Sequence, residues 1–523
     1  MNDWSQYFPV GFTPRQQQID ALNFAFDKFQ AGQKHVLLEL GTGVGKSAIA
    51  VALARRMAES AYVLTSQKVL QDQYMRDFSD YIVDLRSSSN FACSYSGTCA
   101  GTMRIKRALE GLPAAKKITC AGTLSCPYAE CKEKFKNSPI GITNYSYYLS
   151  ETIYAGGLKP RSLLVLDEAH NIENEVRRWA TIAVSKQWCK TELKLSIPSD
   201  TKDVPAWIVS TYAPALGSLK SQLATKIERA VSNQSDPSAL SEKFEFVDKH
   251  LCQVNRYIEE YGGSKDDYVV SIEDTKDDTT INLKPIFISK QAKLYLYDSA
   301  DHVLMMSATI LSKDVYARNN GLPKSAAFMS RPSPFPHEAY GITYSPIAKM
   351  NAARKPSDVS RVVAEIVKIL AKHPNDKGII HTGSYEITRE IESINDPRLL
   401  IQKSYADREN ILTKHMTDSN PTVLVSPGMT EGLDLHGELG RFQVICKVPF
   451  PYLGDPVVQR IKEKDHEWYA WVTARTVVQA TGRCVRSSDD WAKTYILDGC
   501  FGDFFVKWSK FFPDHFSSME VVG

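Results

Sequence analysis

A lysine followed by a serine at the end of a glycine-rich stretch can hold a phosphate chain together with its metal. Glu39 to Ser47 read ELGTGVGKS. Gly41, Thr42, Gly43 and Gly45 let backbone N–H groups converge on phosphate oxygens, Lys46 reaches the β and γ phosphates, and the Ser47 hydroxyl offers a ligand to Mg²⁺. The first position of the strict pattern is Leu40 rather than Gly, so the assignment depends on finding a strand before the loop and a helix after it. Asp167 and Glu168 form a second group, in SLLVLDEAH from Ser162 to His170. They stand at the C-terminal end of an apolar run, where ligands of open α/β sheets gather. Asp167 suits Mg²⁺ held through water, and Glu168 suits activation of an attacking water.

Phosphoryl transfer also needs cations for the charge that grows on the γ-phosphate. Gln479 to Arg486 read QATGRCVR. Arg483 and Arg486 lie three apart, so a helix would put both on one face, directed across a cleft at the nucleotide. The competing reading pairs them with Asp489 or Asp490. A site divided in this way between two domains is one whose closure can be coupled to motion.

Five of the ten cysteines fall between Phe91 and Cys131, at Cys93, Cys99, Cys120, Cys126 and Cys131. Four thiolates can hold a [4Fe–4S] cluster or a tetrahedral Zn²⁺, and spacing does not choose between them. Cys189, Cys252, Cys446, Cys484 and Cys500 are scattered and read as small buried hydrophobes. The same region carries Arg104, Lys106, Arg107, Lys116, Lys117, Lys132, Lys134 and Lys136 against Glu110, Glu130 and Glu133. Such a patch can track a nucleic-acid backbone, while Tyr145, Tyr147 and Tyr148 either stack on bases or pack inward.

These groups need elements to hold them. Short apolar runs at His35 to Glu39, Ala61 to Leu64, Ser162 to Leu166, His302 to Met306, Gly378 to His381, Thr422 to Val425 and Gln443 to Cys446 read as buried strands. They alternate with helical patterns, beginning with Ser47 to Met57, which predicts parallel sheets. Trp179 to Thr280 breaks the rhythm: amphipathic patterns over Ala213 to Val231 and Ser241 to Glu260, and no comparable buried strand, predict a mostly helical insertion. The acidic Ser264 to Asp278 closes it as a solvated loop or ribbon. RPSPFP, Arg331 to Pro336, resists helix and central strand alike and reads as a linker between two α/β domains.

Taken in order, FTPRQQQ, ELGTGVGKS, TSQKVLQDQ, DEAH, SAT at Ser307 to Thr309, SPF at Ser333 to Phe335, EGLD at Glu431 to Asp434 and QATGRCVR resemble the XPD/DinG branch of superfamily two helicases, DinG most closely. The resemblance implies an α/β fold of two RecA-like domains, with an iron–sulfur insertion and an Arch-like insertion in the first. The implied limits are 1–92, 132–178 and 281–330 for the first motor domain, 93–131 for the cluster domain, 179–280 for the Arch-like insertion and 331–523 for the second motor domain. It implies that Gln18 contacts adenine, that Ser307 and Thr309 couple hydrolysis to DNA, and that Glu431, Gly432 and Asp434 line the cleft. It assigns Cys93, Cys120, Cys126 and Cys131 to a [4Fe–4S] cluster, with Cys99 the rival of Cys93. It further implies 5′ to 3′ movement on single-stranded DNA, forked or tailed duplexes as substrates, and a part in DNA repair or replication. An RNA-directed motor and a non-unwinding, ATP-switched iron–sulfur factor are the alternatives. Departures from the family pattern stand at Leu40, at Tyr145 where it has His, and at Ala492 where it has Gly.

Composition is neutral about the substrate. The 523 residues carry 63 Lys and Arg against 60 Asp and Glu, for a formal charge of +3, so any nucleic-acid surface must be local. No apolar run reaches the roughly 20 residues of a membrane span, and Met1 to Pro9 do not resemble a secretion signal. The expectation is a monomeric, cytoplasmic protein of bacterial or viral source.

Overall fold

Parallel strands covered by helices on both faces lose the polar alternation of half-exposed ones. The computed structural model shows this along the whole of Ala61–Thr65, Gly378–His381, Val423–Ser426 and Phe442–Ile445, which are buried end to end. The structure describes residues 3–57, 60–93, 97–112, 126–261, 267–429, 435–485, 487 and 489–522. Two seven-stranded sheets organise them. In the first, the order is Ala327–Arg331, His35–Leu40, Ala300–Ser307, Arg161–Leu166, Ala61–Thr65, Ile140–Asn144, Val83–Asp84, every neighbouring pair parallel. In the second it is Leu399–Ile401, Val423–Ser426, Gly378–His381, Phe442–Ile445, Ala492–Asp498, Tyr340–Ala348, Glu520–Val521, again all parallel. These are two RecA-like domains, with the expected strands in place.

The insertion is mostly helical, and it also holds buried strands that the sequence did not suggest. Ile182–Ser185, Thr279–Pro285 and Tyr268–Asp274 form an antiparallel sheet in that order, in which Val184, Ile281 and Leu283 are fully buried. The acidic stretch is thus half of a hairpin. Its strand is buried only at Tyr268 and Ser271 and ends exposed at Glu273 and Asp274, so it carries no unbroken apolar run. Helices Ala213–Ser232 and Ser238–Tyr261 pack Leu216, Leu223 and Ile227 against Phe244, Val247 and Tyr257.

Ile105 and Ala108, on helix Cys99–Ala108 of the cysteine-rich segment, join that same core. Polar pairs close the junction. Arg104 bonds Glu242 at 3.1 Å and also Glu245, while Asp248 accepts from Arg107, Lys220 and Tyr154 at 2.6 Å each. Lys132 is paired with buried Glu151 at 2.6 Å. Arg104, Arg107 and Lys132 are therefore paired with acids of the same chain, whereas Lys134 and Lys136 are exposed; Lys116 and Lys117 lie outside the described residues. Tyr145, Tyr147 and Tyr148 are buried.

Burial opposes ionisation of Asp248, but hydrogen bonds from Arg107, Lys220 and Tyr154 outweigh it and hold the carboxyl below its ordinary value. A depressed carboxyl stabilises the fold above the ordinary Asp value of 3.8 and loses that contribution as the pH falls through its folded value. Asp248→Asn is expected to lower unfolding free energy by about 2 kcal/mol at neutral pH, with the gap from wild type closing in acid. Urea unfolding followed by tryptophan fluorescence across pH checks this; equal stability at pH 7 would sink the assignment of Asp248 as the junction's anchor.

Candidate active site

Strand His35–Leu40 runs into the phosphate-type loop, and helix Lys46–Met57 leaves it, the flanks that the motif requires. Gly43 has φ +89°, and the Phe335 ring lies against it so closely that a Cβ there would sit 2.2 Å from the ring. At Gly41 a Cβ would meet the Ser333 backbone nitrogen at 2.2 Å. The expected linker thus lies directly on the loop, pinned by Gly41 N–H to the Arg331 carbonyl at 3.0 Å and by the Ser333 hydroxyl to the Thr42 carbonyl at 2.9 Å.

Gln18 is 4% exposed, with Arg15 N–H on its Oε1 at 2.9 Å and its own Nε2 on the Gly45 carbonyl at 3.4 Å. It braces the loop from behind and does not line the cleft. Its amide has one backbone partner at each end and keeps one N–H and one carbonyl lone pair.

Asp167 and Glu168 follow strand Arg161–Leu166, beside the loop. Asp167 is buried; burial and the neighbouring Glu168 push its carboxyl up, and Lys46 pulls it down. The buried phenol of Tyr74 donates to Asp167 Oδ2 at 2.9 Å and also touches the Ser47 hydroxyl. Tyr74 thereby bridges the two expected Mg²⁺ ligands. No sequence signal marked it, because it sits in an amphipathic helix as any core tyrosine would. Tyr145, the departure from the family's His, donates to the Asp167 carbonyl at 3.0 Å. Glu168 adopts left-handed φ 49° and meets His170 Nδ1 at 3.3 Å; the same nitrogen lies 2.8 Å from Ser307 Oγ.

The opposite wall comes from the second domain. Helix His466–Thr481 presents Trp468, Trp471, Arg475 and Gln479 on one side, spanning about 17 Å of its axis. Trp468 Nε1 donates to both oxygens of buried Glu173 at 3.1 and 3.2 Å, Trp471 Nε1 to the Ile310 carbonyl at 2.6 Å, Arg475 to the His170 carbonyl at 3.2 Å and Gln479 Nε2 to Thr309 Oγ1 at 3.1 Å. Their partners are the DEAH and SAT segments and the helix that follows DEAH.

The helix ends at Thr481, with Gly482 as its cap. Arg483 therefore stands past the helix end and not on the expected helical face: Thr481 turns its hydroxyl onto the Val478 carbonyl, and the helix is capped at Gly482. Arg483 lines the cleft and faces His381, a buried ring that burial and this guanidinium push down to about 4. Arg486, Glu431, Gly432 and Asp434 lie outside the described residues. The cleft between the walls has a volume of about 730 Å³ and holds Lys46, Asp167, Glu168, Gln479 and Arg483 on its surface. It can take a nucleoside triphosphate with its phosphates on the first domain and cations supplied by the second.

Two family matches divide along the same line. Residues 11–196 match the family described as type III restriction enzyme, res subunit, and residues 366–518 the helicase C-terminal domain. A probable ATP-dependent helicase of Methanocaldococcus jannaschii is 24% identical over 90% of this chain and 89% of its own length. The ATP-dependent DNA helicase YoaA of Escherichia coli is 20% identical over 93% and 92%, and DinG of the same species 26% identical over 41% and 33%. A solved XPD helicase superposes with a TM-score of 0.66 at 14% identity, covering 98% of this chain and 100% of that one. The chain is an ATP-dependent helicase that resembles the XPD/DinG branch.

In this helicase the described cysteines of the expected cluster gather at one junction. Cys93, Cys126 and Cys131 pack, partly buried, on the apolar cluster that also holds Cys99. Cys99 Sγ is 4.0 Å from Cys126 Sγ, Cys93 Sγ is 3.1 Å from Thr102 Oγ1, and Cys131 Sγ is 3.4 Å from the Asp84 carbonyl. The donors fit a thiolate-bound group in kind, and Cys99 and Cys126 lie near one another. Among the described residues no three ligating side chains close into a metal site, and Cys120 lies outside them.

Gln479 joins the two walls of the cleft. Gln479→Ala is expected to lower kcat for ATP about tenfold while KM stays within about twofold, as befits an interaction that acts after binding. Steady-state kinetics decide; a raised KM with kcat intact would place Gln479 in ground-state binding instead.

Proposed function

We propose that this helicase binds Mg²⁺-ATP in the interdomain cleft and that hydrolysis, stimulated by single-stranded DNA, drives it 5′ to 3′ and separates forked or tailed duplexes. It does so as a cytoplasmic monomer. The observation that carries the reading is the convergence of both domains on one cleft through the Gln479 to Thr309 bond, at the SAT segment whose Ser307 meets the DEAH histidine. Helicases named for DNA among the relatives support DNA over RNA as the track.

The roles follow from placement. Backbone N–H groups of Gly41 to Gly45 and the Lys46 ammonium hold the phosphates, and Ser47 with Asp167 holds Mg²⁺. Glu168 takes the proton of the attacking water, and Gln479 positions that water. Arg483, with Arg486, stabilises charge on the γ-phosphate, while Glu431, Gly432 and Asp434 complete the second wall. Cys93, Cys120, Cys126 and Cys131 would hold a [4Fe–4S] cluster, which when bound supplies a rigid, redox-capable crosslink within residues 93–131. The domain limits implied by the family resemblance serve as boundaries for variants.

Lys46→Ala is expected to reduce DNA-stimulated ATP turnover to background, and turnover near wild type would overturn the site. Protein prepared without oxygen is expected to unwind a 5′-tailed duplex and leave a 3′-tailed one intact. DNA binding without strand separation would favour the ATP-switched factor, and stronger stimulation by RNA the RNA motor. Iron analysis and a broad visible absorbance lost in the Cys126→Ser variant check the cluster; zinc in place of iron would reassign it.

A further inference from the structure

Glu39 is the penultimate residue of the strand that feeds the phosphate loop, and it stands half-buried at the wall of the cleft. Its Oε1 accepts from Leu311 N–H at 2.6 Å and its Oε2 from the Ser330 hydroxyl at 2.9 Å. Burial pushes this carboxyl up, and only neutral donors, Leu311 N–H, Ser330 and Ile310 N–H, oppose the shift. A half-buried carboxylate held only by neutral donors is a poor source of stability, so its value here is geometric.

The geometry it fixes is unusual. Leu311 has φ +58°, a left-handed conformation that a branched side chain adopts at a cost of about 1–3 kcal/mol and keeps only where its surroundings impose it. The turn follows directly on SAT. Its preceding carbonyl, Ile310 O, accepts from Ser312 N–H at 2.6 Å and from Trp471 Nε1 at 2.6 Å. Trp471 is fully buried in the helix that carries Gln479 and leads to Arg483. An unbroken chain of short bonds thus runs from the phosphate-loop strand, through Glu39 and the strained turn, to the second domain's wall.

We propose that Glu39 is a positioning residue: by holding the Leu311 turn it fixes the Ile310 carbonyl, and through Trp471 it sets the register of the helix that brings Gln479 and Arg483 to the nucleotide. The residue touches neither substrate nor metal in this role. A shift of the loop when a triphosphate loads moves the end of the same strand, so the turn can pass that shift to the opposite wall.

The proposal rests on the reading of the cleft as an ATP site, and the test separates the two. Full-length wild type, Lys46→Ala, Glu39→Ala, Glu39→Gln, Trp471→Phe and the Glu39→Ala/Trp471→Phe double variant are assayed for ATP turnover with and without a single-stranded oligonucleotide, with thermal melts as folding controls. Glu39→Ala is expected to lower kcat about tenfold with KM for ATP within about twofold. Glu39→Gln, which keeps an acceptor for Leu311 N–H, is expected to recover kcat to within about threefold of wild type. Trp471→Phe keeps the packing, loses the N–H donor, and should lower kcat in the same way.

Because both residues act through one turn, the double variant should be no slower than the slower single one. Losses that multiply, a raised KM with kcat intact, or no recovery in Glu39→Gln overturn the proposal. If Glu39→Ala does not fold, Trp471→Phe decides: kcat within about twofold of wild type overturns it, and a lowered kcat with KM unchanged sustains it. Lys46→Ala with normal turnover would remove the ATP-site reading itself, whereas an inactive Lys46→Ala beside a fully active Glu39→Ala removes only the positioning role.

Discussion

A cleft lined by two domains keeps its geometry only if the second wall is held in register with the first, and here that register comes from burying one side of helix His466–Thr481 against the first domain. Trp468, Ala470, Trp471 and Ala474 belong to the same apolar cluster as Leu164, Leu166, Met305 and Tyr316 of the first sheet and its helices. Interfaces between domains are usually more polar than this and permit sliding. A tryptophan as buried as Trp471 is worth roughly 3–5 kcal/mol against truncation, and hydrogen bonds from four side chains along the same face fix its rotation. The remainder of the second domain, with its own separate core around Ile366, Ile380 and Val444, is attached to the first through this helix, the helix Pro456–Lys464 before it, the Ser333–Phe335 linker and the C-terminal aromatic segment. Any relative movement must strain or reuse these few connections.

Much of the fold could be read from composition along the chain. Strands such as Ala61–Thr65 and Val423–Ser426 are buried on both faces, and burial on both faces writes itself into the sequence as an unbroken apolar run. Tyr268–Asp274 was hidden for the opposite reason. Its outward residues are acidic, its inward ones are few, and its stability comes from pairing with Thr279–Pro285 rather than from its own pattern. The end of the arginine-bearing helix was misread because QATGRCVR holds helix periodicity on both sides of Gly482, and only the cap shows that the axis stops there.

The candidate site was legible in its reacting groups and illegible in their supports. Lys46, Asp167, Glu168, Gln479 and Arg483 all reach one cleft, because their types are dictated by phosphate chemistry and their spacing by strand ends. Tyr74, Glu39 and Trp471 are chosen by partners far away in sequence, and nothing in their immediate surroundings announces the role. The basic segment Arg104 to Lys136 shows the same limit from the other side. A run of cations reads as a surface, yet Arg104 and Arg107 are answered by Glu245 and Asp248, 141 residues along the chain.

Carboxylates stand at three junctions of this molecule: half-buried Glu39 between phosphate loop and SAT turn, buried Glu173 between the helix after DEAH and Trp468, and buried Asp248 between the cysteine-rich segment and the insertion. Glu173 goes further, because its second partner, Arg177, also donates to the Pro285 and Ile286 carbonyls where the insertion returns to the first sheet. Apolar contacts would hold these junctions together more cheaply, since burying an ion gains little net stability. What apolar contacts do not supply is a single allowed arrangement: a methylene can slide along its neighbour by an ångström at small cost, whereas a buried carboxylate that loses one donor is left with an unpaired charge. Placed at the seams rather than in the cores, these acids make intermediate positions of the joined parts costly. Parts joined in this way move between discrete settings, and that is the property a machine needs if a change at a phosphate is to be felt as a definite change elsewhere.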